Sequence, residues 1–460
     1  MTTGAGRTIS PNPRACQEVA ERMLSLALNA GADSAEILVR EGAELEVKVR
    51  LGETEMVKEA GSRGLGLRVL KSGRVAVAYT SDFLPESLRR FAEETVALCQ
   101  LSEPDELADL PLREEMARAV PDLDLWDESV LEVSVEQAMQ MALLGEKAAQ
   151  GWDVRVTNSE GASFGRNLGA VAFASSAGFS GAYRGSHVSL VVEPLCDDAE
   201  GKKRNGYYYT SGRFLADLSA PEVVGLEAAR RTVAKLGARK ISTCQVPAIF
   251  SPEAGRSLLG QFAGVISGGS VWRKSTYLAD REGSMVASPL VSIVDDPLIR
   301  RAPGSRPFDG EGLPVQPNVV VDRGTLRTFL CDVYAGRKLG RKSTGSAARS
   351  LGGGPHVSTS NFILAAGVTV PGDLEKVDRA LYVTDLMGFG FNAVTGDFSQ
   401  GAAGFWIEKG ERIHPVSEVT LSVNFDALWK GIEAVGSDLD TRSSIRCPSF
   451  RVGSVTVAGN

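Results

Sequence analysis

Leu45-Glu46-Val47-Lys48-Val49-Arg50-Leu51 alternates apolar and charged residues without a break. Successive side chains of a strand point to opposite faces, so this stretch reads as a strand with one dry face and one wet face. A sheet with one dry face needs a cover, and helix signals flank the stretch on both sides. Before it, Asn12 can cap a helix, Pro13 suits the first helical position, and Val19, Met23, Leu26 and Ala30 share a face that Gly31 ends. After it come β-like runs at 66–70 and 74–79, joined by the hairpin signal Lys71-Ser72-Gly73. A second helix then starts near Pro85 and carries Leu88, Phe91, Thr95 and Cys99.

The order of helix, strands and helix recurs. Ser134-x-x-Gln137 is a capping box opening a helix through Ala149, with Gly151 at its end. β-like runs follow around Val154, Val171, Leu190 and Tyr208, and Ser219-x-x-Glu222 with Pro221 opens a helix that Gly237 closes. Residues 1–240 therefore read as an N-terminal α/β domain with a meandering sheet and flanking helices, built of one or two α-β-α units at 12–100 and 134–237. Residues 101–128, with Pro104, Pro111 and Pro121 among many acids, read as an extended connector packed on the surface.

Residues 241–460 differ in character. One helix is expected over 252–266, capped by Ser251, with Leu258, Leu259, Phe262 and Val265 on one face. The rest is short apolar runs divided by turns such as Asp322-Arg323-Gly324 and Glu408-Lys409-Gly410, then a helix near 426–434 and a strand at 453–458. This pattern suits a mostly antiparallel β domain, barrel or sandwich, so the fold class is α+β.

The 460 residues carry 50 Lys and Arg against 57 Asp and Glu, a net charge of −7. That balance argues against nucleic-acid binding, which needs a concentrated basic surface. The six cysteines form no C-x-x-C pair, which suits reduced thiols in the cytoplasm. No apolar run approaches the roughly 20 residues of a membrane span, and no basic segment followed by an apolar run marks a leader.

Hydrolytic zinc sites commonly place two histidines one turn apart on a helix, with a glutamate beside one as base. Here His187, His356 and His414 are 169 and 58 residues apart, and none is followed by glutamate. No catalytic, cofactor-binding or metal-ligating residue is assigned. Residues 161–165 (GASFG) match the G-x-S-x-G nucleophile elbow, but they lie among β-like runs, where a hairpin loop is expected instead. Residues 340–344 echo the end of a P-loop with the wrong spacing. Cys331 sits in an apolar run and reads as a buried thiol. Residues 308–312 (FDGEG), with the basic cluster after Asp332, concentrate charge: Asp309, Glu311, Arg337 and Arg341 suit an interface or peptide-contacting rim, and equally a solvated turn with ordinary ion pairs. Gly353, Gly354, Gly388 and Gly390 could admit a peptide backbone against an open strand edge.

Residues 308–312, 332–345 (DVYAGRKLGRKSTG) and 381–410 (LYVTDLMGFGFNAVTGDFSQGAAGFWIEKG) resemble the PmbA/TldE branch of the TldD/PmbA family, with weaker similarity at 32–36, 64–69 and 80–82. The resemblance implies two kinds of subunit. A TldD-like chain carries an H-E-x-x-x-H helix that binds zinc; a PmbA/TldE-like chain lacks it and forms a heteromer with the first. The family is associated with maturation of peptide antibiotics such as microcins and with degradation of small unfolded polypeptides, and older names call its members modulators of DNA gyrase. Helix 252–266 stands where the zinc helix would be and holds no acid after Glu253. The resemblance thus implies a cytoplasmic, non-catalytic, metal-free subunit, with zinc only in the TldD-like partner, peptides as substrates, and a homodimer possible when the partner is missing. A stand-alone homodimeric scaffold, or a hydrolase with an unrecognised site, are the alternatives.

Overall fold

The computed structural model describes residues 10–459; residues 1–9, part of the stretch read for a leader, lie outside them. The chain opens with helix α1 (Pro13–Asn29), strands β1 (Ser34–Arg50), β2 (Glu53–Lys71) and β3 (Arg74–Thr80), and helix α2 (Pro85–Leu98). After the connector come helices α3 (Glu128–Leu131) and α4 (Val135–Trp152), strands β4 (Val156–Ser175), β5 (Phe179–Asp197), β6 (Lys203–Asn205) and β7 (Tyr208–Gly212), and helix α5 (Pro221–Val233).

These strands make one sheet. β1 pairs antiparallel with β2 on one side and with β4 on the other, giving the order β3-β2-β1-β4-β5, with β6 and β7 both on β5. The dry face read from the alternation is real: Leu45, Val47 and Val49 are buried, and the period ends at Leu51, which turns out at φ 53° and is 54% exposed. Ile37 and Val39 have the same parity and face the same way. They pack under α1 and α2, while Leu45, Val47 and Val49 pack under α4 and α5. The even residue Leu38 faces the opposite side, where Met116 of the connector and Phe308, Leu313 and Val333 cover it.

Asn12 caps α1 and Ser134 forms its capping box on α4, but Ala220, not Ser219, stands at the cap of α5. Residues 161–165 are neither an elbow nor a hairpin loop. They lie inside β4, beside a register shift between Ser159 and Gly161, because β4 is far longer than its short apolar runs suggest.

The C-terminal region begins with β8 (Cys244–Phe250) and helix α6 (Pro252–Val265). β8 pairs in parallel with Arg379–Met387, which leads antiparallel through Asp397–Glu408, Glu411–Asn424 and Phe450–Ala458 back to β8. The ring closes as a five-stranded barrel, so of the two expected forms the barrel is the one adopted. Closure rests on short pairings, residues 381–383 with β8 and residues 420–422 with 456–458, and along those stretches it removes the open edge expected for a peptide backbone. Gly390 is likewise filled from within: a Cβ on it would lie 1.6 Å from Ser399 O. The late helix is shorter than expected, Phe425–Lys430, followed by strand Ile432–Val435.

Candidate functional site

Helix α6 is positioned by its cap and by its small residues. Ser251 Oγ accepts from Ala254 N at 3.2 Å, and Pro252 occupies the first turn, where its missing N–H costs nothing. Leu258, Leu259, Phe262 and Val265 are buried, and Phe262 lies 5.0 Å from the Trp429 ring. Gly255 lets the helix approach closely; a Cβ there would stand 2.8 Å from Cys447 Sγ. The first turn of α6 opens into a cleft of about 670 Å³ between α5 and β7 on one side and the barrel strands on the other.

Glu253 is the acid at the head of this cleft. Its Oε1 lies 2.9 Å from Arg231 Nη1 and 3.1 Å from Arg442 Nη2. Burial works against its charge, but the two guanidiniums outweigh burial and hold the carboxyl below its usual range. Arg442 also pairs with Asp440 at 2.8 Å, donates to Tyr209 O, and stacks over Tyr208 and Tyr209. Arg256, one turn along α6, donates to Tyr209 Oη and lies 4.0 Å from Asp440. Arg412 is held on Glu375 through two hydrogen bonds and lies 3.8 Å over the Tyr382 ring.

This donor set does not fit a zinc ion. Two arginines hold Glu253, and the other polar residues that α6 turns away from its core are Arg256, Ser257 and Gln261. Among the described residues no three of His, Cys, Asp and Glu meet in a way that could hold a metal ion. His187 is on β5 and His356 on a separate two-residue strand; only His414 of the three lines the cleft, with Nδ1 3.0 Å from Pro415 O. Cys331 is buried, and burial pushes its thiol up to about 12, which suppresses the thiolate a nucleophile needs.

The four candidate contact residues do not line this cleft. Asp309 and Glu311 are only 1% and 2% exposed, a correction to their placing on a rim. Asp309 accepts the N–H groups of Glu311, Leu313 and Ala347, and Glu311 accepts from Val333 N, so the acids hold together a folded segment whose Phe308 and Leu313 cover the Leu38 face of the sheet. Burial raises both carboxyls, Glu311 further because Asp309 and Glu36 are near. Arg337 donates to the carbonyls of Leu107, Asp109 and Leu110 and so fastens the connector. Arg341 forms a two-pronged pair with Glu282.

The sequence did not mark Tyr208, Arg231, Asp440 or Arg442 as site residues. They come from β7, α5 and a late loop, and only the fold brings them together. The one local hint was the Arg230-Arg231 doublet in the last turn of α5, which also suits a helix dipole.

Domain profiles of the PmbA/TldA metallopeptidases match the chain in order: domain 1 over residues 35–99, the central domain over 128–236 and the C-terminal domain over 243–459. A metalloprotease PmbA homologue of Haemophilus influenzae is 36% identical, covering 95% of this chain and 94% of its own. A metalloprotease TldD homologue of the same species is 26% identical over 80% of this chain and 79% of its own. A crystal structure from Bacteroides thetaiotaomicron, described as a modulator of DNA gyrase, superposes with TM-score 0.90 at 25% identity, covering 96% of this chain and 99% of that one. With the mixed fold, the closed barrel and all three domains in order, the chain belongs to the PmbA/TldD metallopeptidase family.

Proposed function

We propose that this chain is the non-catalytic, metal-free subunit of a two-component zinc metallopeptidase of the cytoplasm, acting on small or unfolded peptides beside a TldD-like chain that holds the zinc. The observation that carries this reading is Glu253 locked between Arg231 and Arg442 on the helix where the family's zinc ligands would stand. A general base must be free to take a proton, and a carboxylate held by two guanidiniums is a poor one. A metal ligand in that place would also face the charge of both arginines.

A partner surface is available near the cleft. The loop between Arg379–Met387 and Asp397–Glu408 exposes Met387, Val394 and Phe389, the last at 103%. An exposed apolar group of this size suits burial against another subunit. The presence of a PmbA-like and a TldD-like relative in one species supports a pairing of the two kinds. No helix among the described residues is long and apolar enough to cross a membrane.

The test is co-expression with a TldD-like chain, followed by zinc analysis and peptide turnover on the separate and combined proteins. Turnover is expected only in the combination, with zinc in the partner, and Phe389→Ser should weaken assembly while leaving this chain folded. Near-stoichiometric, chelator-sensitive zinc together with turnover in this chain alone would overturn the reading.

A further inference from the structure

We propose that the cleft beside α6 is itself a peptide site, which takes the C-terminal end of a short extended peptide with its carboxylate against Arg230 and Arg412. This rests on the reading of the chain as a non-catalytic subunit and gives that subunit a direct part in holding substrate.

The shape favours an extended ligand. The cleft of about 670 Å³ adjoins a second hollow of about 440 Å³, and the two share Tyr207, Lys235, Glu253, Thr384, Asp385 and Pro415 as common wall. Together they form a groove running along the start of α6, where Glu253 lines both hollows and Arg256 and Ser257 line the second. A compact ligand would need one rounded cavity; two joined hollows suit a chain laid lengthwise.

The charges favour a carboxylate at one end. Arg231 and Arg412 both lie within electrostatic reach of Arg230 at the cleft wall. Glu227 takes the Nε and Nη2 edge of Arg230, and Glu375 takes the same edge of Arg412. Each guanidinium plane is thereby fixed from behind, and the Arg230 side chain is still 58% exposed. A pre-set guanidinium with a free side is the group that recognises a carboxylate by direction as well as charge. Five cationic and four carboxylate side chains line the cleft, and Glu227 and Glu375 stand behind two of the cations, so the site holds no surplus of positive charge for a multiply charged anion. Tyr208, Tyr382, Phe405 and Ile413 supply flat and apolar wall for the side chains next to that carboxylate.

Isothermal titration of the purified full chain with Ala-Ala-Phe, its C-terminal amide and inorganic phosphate tests the site. The free acid is expected to bind about tenfold or more tightly than the amide, since a hydrogen bond to a charged group carries a difference of that order. Arg230→Gln should remove most of that preference with an unchanged circular-dichroism spectrum and melting midpoint, and Arg412→Lys should weaken the acid and spare the amide. Equal binding of acid and amide, phosphate binding as tightly as the peptide, or no binding at millimolar peptide would each overturn the proposal. Sedimentation of the chain with a zinc-bearing TldD-like protein is read separately. Failed assembly there counts against the subunit reading whatever the peptide result, and normal assembly without acid preference counts against the peptide site alone.

Discussion

Arg349 places Nη2 2.7 Å from Glu36 Oε2, and both side chains are buried. The pair ties a loop of the C-terminal region to the start of β1, and Arg68 on β2 approaches the same Oε2 at 2.7 Å. One carboxylate thus anchors two guanidiniums at the junction of the first sheet with the chain that covers it.

Glu36→Gln should therefore cost about 3–5 kcal/mol in urea unfolding, because it leaves two buried cations without their counter-charge. Burial opposes the Glu36 charge, but Arg349 and Arg68 outweigh it and hold the carboxyl below its ordinary value of 4.5. A depressed carboxyl stabilises the fold above its unfolded pKa and loses that contribution as pH falls through the folded one. The difference between wild type and variant should be full at pH 7 and shrink on acidification below about 4; a difference that grows there would contradict the assignment.

Asp295 carries the opposite sign. Burial raises its carboxyl from 3.8 to about 6, although Oδ1 accepts the Ser360 N–H at 2.6 Å. The folded chain then binds a proton that the unfolded chain has released, so this group loses stability as pH rises from about 4 to about 6. Asp295→Asn should be more stable than wild type at pH 7, by an amount on the order of 3 kcal/mol at most, and no more stable at pH 4. Melting midpoints across that range check it.

Asp309→Ala should destabilise the chain by about 2–4 kcal/mol, since three backbone N–H groups lose their acceptor in a buried place. Co-sedimentation of the folded fraction with a TldD-like partner should be normal. Normal melting with failed assembly would return Asp309 to an interface role.

Gly66 on β2 lies under the backbone of residue 351; a Cβ there would stand 2.2 Å from Leu351 O. Gly66→Ala should cost about 1–3 kcal/mol, because backbone must move to admit the methyl. Gly151, in the last turn of α4 with nothing within 4 Å of an added Cβ, is the control. Gly151→Ala should be neutral or stabilising by up to about 1 kcal/mol in the same thermal denaturation assay.

Much of the local structure was legible because its signals span one or two turns. The Asn12 and Ser134 caps, the alternation at 45–50 and the apolar stripe of α6 all stand where the residues placed them. The absence of paired histidines at helical spacing was equally plain. Asp309 and Glu311 misled for a physical reason: acids between glycines look solvated when only neighbours are considered. Their burial depends on Leu313, Val333 and Ala347 folding over them.

The sequence by itself determined where several helices start, which face of the 45–50 stretch is dry, and that α6 offers no pair of metal ligands, since each follows from side chains a few residues apart. Tertiary structure alone decided that the strands of the N-terminal half join in one sheet through the β1 and β4 pairing, and that β8 meets Arg379–Met387 in parallel to close the barrel. It alone brought Arg231 and Arg442 onto Glu253, across 22 and 189 residues of chain. Burial and charge pairing belong to surfaces that meet only after folding, so no local pattern encodes them.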